Sequence, residues 1–387
     1  MKTISLLLFY ITFTGSLAAQ NDSDTISTKP IQVSFIHPIG LYGTTSQTQK
    51  NFLSFNIFYG VNGGLLGFEF GGIANKNLGD VNGCQIAGIA NNNLASANGV
   101  LIAGISNFVA DSAYCIAIAG LSNRFGKISG GMQIAGLANT VDGGYTGMQI
   151  AGLRNKTNGP FLGLQIAGLS NFNSGHFNGL QISAISNINT GNLQGIQVGL
   201  INRAQKVGGL QVGLINFANE YEFGTPIGLL SIVKDGFNTL DLSYNESVNY
   251  NANLKLGVDH FYNIFKFGYM PKPKGEYFSY GLGVGSMVNL TNRFKISVDL
   301  SASYISEKKF TPTIDFLTEG QLSLRYNILE NIGLFAGPSF NAYFGEYDSE
   351  GNTLLYVPKP IYDEKWWGNQ GITKLWLGYN LGVSVMF

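Results

Sequence analysis

Gly163-Leu-Gln-Ile-Ala-Gly-Leu-Ser-Asn171 is one copy of a phrase, GxQIAGLxN, that recurs along the chain at a fixed step. Its closing asparagines, Asn75, Asn91, Asn107, Asn123, Asn139, Asn155, Asn171 and Asn187, each stand sixteen residues after the last. Two shortened copies, GIQVGLIN and GLQVGLIN, close at Asn202 and Asn216, and a degenerate copy at 224–231 lacks its asparagine. A fixed period of this length is the signature of a repeat architecture, in which one supersecondary unit stacks on the next.

Aligned copies give columns. Isoleucine or leucine stands two residues before the asparagine (Ile73 to Ile185), and Phe70 or isoleucine five before it (Ile86 to Ile182). Glycine stands three before it, preceded by a small residue such as Ala87 or Ala167 that the short copies lack. GIQVGLIN alternates, with Ile196, Val198 and Leu200 on one face and Gln197, Gly199 and Ile201 on the other, so the phrase is read as a β-strand. The extra alanine then reads as a bulge. Between phrases, Thr-Asn-Gly, Asn-Ser-Gly and Asn-Thr-Gly supply turn chemistry, and Tyr145, Phe161, Phe177 or Leu193 offers a second core contact. Two glycines per phrase speak against helix, at ~1 kcal/mol each.

Two architectures accommodate this unit. In a parallel β-solenoid each unit is a coil, like residues stack about 4.8 Å apart, and one asparagine amide bonds to the next. In an antiparallel barrel the environment would repeat every second unit, and no such doubling is visible. Aromatic content also favours the solenoid: residues 72–219 hold only eight of the 49 Phe, Tyr and Trp, whereas membrane barrels carry aromatic girdles. With isoleucine and leucine inward, the glutamine column (Gln133 to Gln211) would face outward.

The rest of the chain sets the compartment. Only 12% of the 387 residues are charged and the net charge is zero, which gives no footprint for nucleic acid. Residues 1–19, with Lys2, an apolar run and Gly15-Ser-Leu-Ala-Ala19, read as a secretory signal peptide. Residues 20–66 are a polar lead and N-terminal strands, 67–231 the repeat block. From 237 to 387 eight aromatic-rich segments alternate: 239–247, 252–260, 262–269, 277–290, 294–306, 320–327, 333–344 and 374–387. Strands of about ten residues with this dyad pattern suit an outer-membrane barrel, of eight strands, or ten with the N-terminal pair. Cys84 and Cys115, about two units apart, are expected as free thiols filling a repeat column, too far apart for a disulfide.

The final segment, Leu375-Trp-Leu-Gly-Tyr-Asn-Leu-Gly-Val-Ser-Val-Met-Phe387, resembles the closing strand of bacterial outer-membrane β-barrel proteins, and the repeats are similar to those of bacterial surface-repeat proteins with GLQIGLxN units. The resemblance implies localisation in the bacterial outer membrane, with membrane lipid as a partner and the final aromatic strand as insertion signal.

The expected fold is therefore all-β: a solenoid of 16-residue period followed by an antiparallel membrane barrel of about 8–10 strands. The long connection between Gly345 and Thr373 carries Tyr356, Tyr362, Trp366 and Trp367, candidates for binding a polysaccharide or another surface protein, or for anchoring at the lipid interface and capping the barrel mouth. His37, His176 and His260 lie in unrelated contexts, and no metal-ligand spacing, nucleophile motif or phosphate loop is present. No catalytic, cofactor or metal residues are expected. The function expected is structure or recognition at the outer membrane, with the barrel as anchor and the repeats as presented surface. The alternative is a pore with the repeats as wall or plug.

Overall fold

The structure, a computed structural model, describes residues 27–272, 275–307, 315–346, 353–355, 357, 359–366 and 371–387. The expected signal peptide lies outside them. The described chain forms two sheets, one wound as a solenoid and one closed as a barrel.

One coil shows how the repeat folds. A seven-residue strand, Phe161–Ala167, is followed by a corner at Gly168 and Leu169, a four-residue strand, Ser170–Asn173, and a short turn leading to the next coil at Phe177. Every strand pairs in parallel with its equivalents one coil before and after, so Asn155 lies beside Asn171 and Gln165 beside Gln181. Two glycine columns permit the winding. A Cβ on Gly168 would run into the carbonyl oxygen of Gly152 in the previous coil, and Gly163 has φ of 132° besides, a conformation that other residues avoid.

The unit differs from its sequence reading in two ways. The alanine is no bulge. It closes the long strand in continuous register (Ala87 beside Ala103), and the chain then turns through Gly-Leu into a second strand. The alternation read through GIQVGLIN is broken at the same corner: Gln197 is buried, whereas Ile201 is exposed. The second difference is inversion. Gln165, Asn171 and Asn173 are wholly buried with Phe161 and Ala167, whereas Leu162 and Leu169 are exposed and Ile166 lies on the outer side. Gln165 shares the parity of the buried Phe161, two pairs along the same strand, so one face takes both. A buried amide is tolerable because each finds an identical amide one coil away, and a satisfied polar group loses little on burial.

The N-terminal strands are coils of this solenoid, not a lead-in or extra barrel strands. Ser27–Ile36 pairs in parallel with Gln49–Asn62, which pairs with Gly64–Gly71 and Ala74–Asn77. A 3-10 turn, Gly43–Thr48, with Ser46 buried, joins the first two strands of the stack. Cys84 and Cys115 are both free but occupy different columns: Cys84 pairs with Val100, and Cys115 with Gly99 and Gly131. Their spacing is one residue short of two coils, which places Cys115 inside and Cys84 half-buried on the outer face.

The second sheet closes as an antiparallel barrel of eight strands: β1 (Phe237–Asn245), β2 (Tyr250–Val258), β3 (Phe261–Lys272), β4 (Gly275–Asn289), β5 (Phe294–Glu307), β6 (Asp315–Asn327), β7 (Ile332–Glu346) and β8 (Gly371–Met386), with β8 pairing back onto β1. These are the eight alternating segments of the sequence. A short strand, Tyr362–Trp366, adds to β8 outside the ring. Along β1, Leu240, Leu242 and Tyr244 face out while Thr239, Asp241 and Ser243 face in, and the other walls follow suit.

The two bodies meet end to end. The last coils touch β2 and β3, where His260 hydrogen-bonds the Gly224 carbonyl (2.6 Å) and Asn263 donates to the Gly228 carbonyl (2.7 Å). This rim carries the turns at 259–260, 290–293 and 328–331. The far rim carries the turn at 246–249 and the strand ends at Lys272 and Gly275, Glu307 and Asp315, and Glu346 and Gly371.

Candidate functional site

Three places could carry function: the solenoid's outer face, the barrel lumen, and the connection over the far rim. The outer face follows directly from the inverted coil. The column that begins at Val33 and Phe55 and continues through Phe70, Ile86 and each following coil to Val212 and Ile227 contains thirteen rungs, every one apolar. Beside it runs a second column, from Ile31 and Leu53 through Cys84, Ile116 and Leu164 to Leu210, with Thr225 at its end. Neither column holds a charged residue. The corner residues Ile89, Leu121, Leu153, Leu200 and their equivalents add a third exposed apolar ribbon.

Beneath this face the interior is held by two amide ladders of opposite direction. Each asparagine Nδ2 donates to the next coil downstream, as Asn139 to Asn155 (3.0 Å) and Asn155 to Asn171 (2.9 Å). The ladder runs from Asn75 through Asn91, Asn107, Asn123 and Asn187 to Asn202 and Asn216. The same Nδ2 also donates to a backbone carbonyl, Ile166 O in the case of Asn155. Glutamine Nε2 instead donates upstream, as Gln165 to Gln149 (2.8 Å) and Gln181 to Gln165 (2.8 Å). The asparagines named from the repeat thus form one buried structural ladder.

One coil upstream of Gln85 the same column holds Glu69, which needs only to accept. Its Oε1 receives Asn56 (3.0 Å) and Asn62 (2.6 Å), and its Oε2 receives Asn77 (2.6 Å) and Gln85 (2.7 Å). Burial pushes this carboxyl above its ordinary range, and the four amide donors pull it back. Downstream, Tyr221 donates to Gln211 (2.5 Å) and ends the ladder. Leu101 and Ala117 interrupt it, and Gln133 Nε2 beside Ala117 finds no partner.

The lumen is packed with polar groups. Asp241 meets Arg325 (2.5 Å) and Lys255 (2.7 Å), and Lys255 meets Asp299 (2.6 Å), which also accepts from Tyr262 (2.6 Å). Two acids and two bases leave this lattice neutral. Farther along, Lys266 pairs with Glu319, which also accepts from Asn245. At the far mouth Ile305, Leu317, Tyr343 and Trp376 cluster with Leu355 from the long connection. The cleft at the near end, beside Phe237 and Arg325, has about 10 Å³, the room of about one water.

Of the four aromatics named from the sequence, Tyr362 is exposed on the short strand that pairs with β8, and the Trp366 backbone ends that strand beside Gly371. Tyr356 and Trp367 lie outside the described residues. Leu355 and Val357 of the same connection are buried in the mouth, so part of it caps the barrel. The histidines are not brought together: His37 contacts Ser46 and Gln47, His176 lies exposed in a coil turn, and His260 sits at the junction. Among the described residues no three His, Cys, Asp or Glu side chains group as metal ligands would.

The sequence did not reveal the luminal lattice or Glu69. Asp241, Lys255, Asp299 and Arg325 are scattered over 84 residues and meet only when the barrel closes. The signal available was parity, since each charge alternates with residues of the outer wall on its strand, as Asp241 does with Leu240 and Leu242. Comparison with protein families, with curated proteins and with solved structures finds no match to this chain.

Proposed function

We propose that this is an outer-membrane protein with a structural or recognition role, its barrel the anchor and its repeats the presented surface. One observation carries this reading: the barrel is apolar outside and ionic inside. Leu240, Leu282, Leu300, Leu322, Phe340 and Leu381 are exposed on its wall while Asp241, Lys255, Asp299 and Arg325 are buried. In water that distribution would leave a girdle of aliphatic and aromatic side chains solvated, whereas in lipid it is the stable arrangement.

The filled lumen supports an anchor over a pore. Eight strands leave an interior that side chains can fill, and here ion pairs and the apolar far mouth fill it. Planar-bilayer recordings on the purified full chain are expected to show no stable open channel, and a sustained conductance would reinstate the pore.

The turns bear on which side the repeats occupy. Outer-membrane barrels carry short turns on the periplasmic side and long loops outside. The solenoid stands on the rim with two- and four-residue turns, whereas Glu346 and Gly371, between which 24 residues run in the sequence, end their strands on the other. The repeats are therefore assigned to the periplasmic side, a question that the sequence leaves open. Tyr362, exposed on the short strand beside β8, would then face outward, where a polysaccharide or another surface protein could reach it. An epitope inserted between Glu307 and Asp315 should be stained on intact cells, and one in the turn at 174–176 only after permeabilisation. The reverse pattern would refute the assignment.

A further inference from the structure

We propose that the apolar face of the solenoid is where a second copy of this chain docks, sheet against sheet, to form a dimer with its two-fold axis along the solenoid. The inference goes beyond the anchoring role and rests on it only for the direction of that axis.

The face is too large to be left in water. Thirteen rungs joined by twelve parallel pairings rise about 58 Å at about 4.8 Å each, and the outer half of the long strand is about 13 Å wide. That gives roughly 750 Å². Soluble monomers rarely expose an apolar patch beyond a few hundred Å², while a stable interface needs about 800 Å² from each partner.

The charges separate the two outer faces. The corresponding outer column of the short strand holds Lys76, Arg124, Lys156 and Arg203, and the column before it holds Arg154. The long-strand columns have no charge over their whole length. Only one face therefore accepts a dry partner. Its near rim is uncharged and mixed: Asn82 and Asn98 hydrogen-bond each other there (3.0 Å), and Tyr114, Thr146, Leu162, Asn178 and Gln194 continue it.

A second copy fits this surface better than lipid does. The solenoid touches the barrel through its last coils alone, so it extends away from the rim and does not lie along the membrane that holds the barrel. Two copies anchored in one membrane share orientation, and a two-fold axis along the membrane normal sets equal rungs at equal heights. The column of Ile116 and Ile196 is central in the strand face and meets itself, while the isoleucine column meets the uncharged rim of Asn98, Tyr114, Thr146 and Leu162. Packed sheets lie about 10 Å apart, and tethering in the membrane raises the effective concentration of one copy for the other.

The test uses the full chain, purified in detergent and returned to lipid nanodiscs. Mass measurement is expected to give a dimer, and the Cys84 thiol on the face should be alkylated slowly. A double variant, Ile116→Lys with Ile196→Lys, places cations opposite cations at positions already exposed in the single chain. It should shift the mass to the monomer and speed Cys84 alkylation by at least about tenfold, with circular dichroism unchanged and Cys115 still protected. The control variant, Thr140→Lys with Ile188→Lys, alters the column that already carries Arg124 and Lys156 and should stay dimeric. A monomeric wild type, or a dimer that survives the Ile116/Ile196 change, overturns the proposal. Loss of dichroism in that variant directs the test to Ile116→Asn with Ile196→Asn, for which the same two outcomes decide. Conductance and epitope exposure are unaffected by any of these results, so failure here is distinguishable from failure of the anchoring role.

Discussion

Glu69 is the acceptor that closes a short, separate group of buried amides in the first coils. Asn56, Asn62, Asn77 and Gln85 all aim amide N–H groups at it, and only an acceptor without protons satisfies them all. Glu69 takes two donors on each oxygen and has no cationic partner among the described residues. Glu69→Gln turns one oxygen into an N–H₂ facing two donors, which should cost about 1–3 kcal/mol, read as a lower midpoint in chemical unfolding. The pH dependence follows from the raised carboxyl. The folded state holds the proton more tightly than the unfolded one, so the site's contribution is greatest below the ordinary carboxylate value of about 4.3 and is lost as pH rises through the higher folded value. Wild-type stability should therefore decline over that interval, and the Gln variant should lack this component. Equal slopes in both proteins would remove Glu69 as its source. None of this was legible in one copy of the repeat, because Glu69 occupies a glutamine position and its donors come from several different segments of the first coils.

At the scale of the element, the sixteen-residue step was fully legible and the sense of the coil was not. Period gives stacking, since a parallel ladder requires the same residue at the same place in each turn. Whether Gln or Ile faces inward depends on a partner one coil away, which binary patterning ignores: by hydropathy alone Ile166 belongs inside and Gln165 outside. The aromatic column was the better guide, because Phe161 and Phe177 stack with ring centroids 5.1 Å apart and fix the inner parity for Gln165. The corner was read as a bulge for a related reason. Ala-Gly-Leu interrupts alternation either way, and only the four-residue strand after it tells the two apart. The barrel strands were legible because dyad alternation needs no neighbouring copy to be interpreted. If the coil is the unit of stability, as in other linear repeats, deleting residues 161–176 should give a folded protein with one rung fewer and a melting temperature within a few degrees of the parent. Deleting 161–168 removes half a coil, sets Asn beside Gln and long strand beside short, and should abolish the cooperative melt. A half-coil deletion that melts like the parent would contradict register as the source of stability.

At the scale of the whole molecule, two bodies with different sources of stability are joined by a small contact. The solenoid depends on ladders between successive coils, each bonded only to its neighbours. The barrel has no free edge, since β8 returns to β1, and its ion pairs are shielded within the wall. Between them stand a few hydrogen bonds, from His260 and Asn263 to the last coil and from Asn238 to the Val233 carbonyl. So limited a junction transmits little cooperativity, and two-state unfolding is the property of single compact domains. Urea acting on the vesicle-embedded protein should therefore separate the bodies. The three tryptophans, Trp366, Trp367 and Trp376, all lie beyond residue 237, so tryptophan emission follows the barrel alone while far-ultraviolet dichroism follows both. Dichroism should lose its solenoid component at a urea concentration where emission is unchanged, and emission should move only at higher denaturant, if at all. Coincident transitions would mean that the junction couples the bodies into one unit, and that the repeats unfold only when the barrel does.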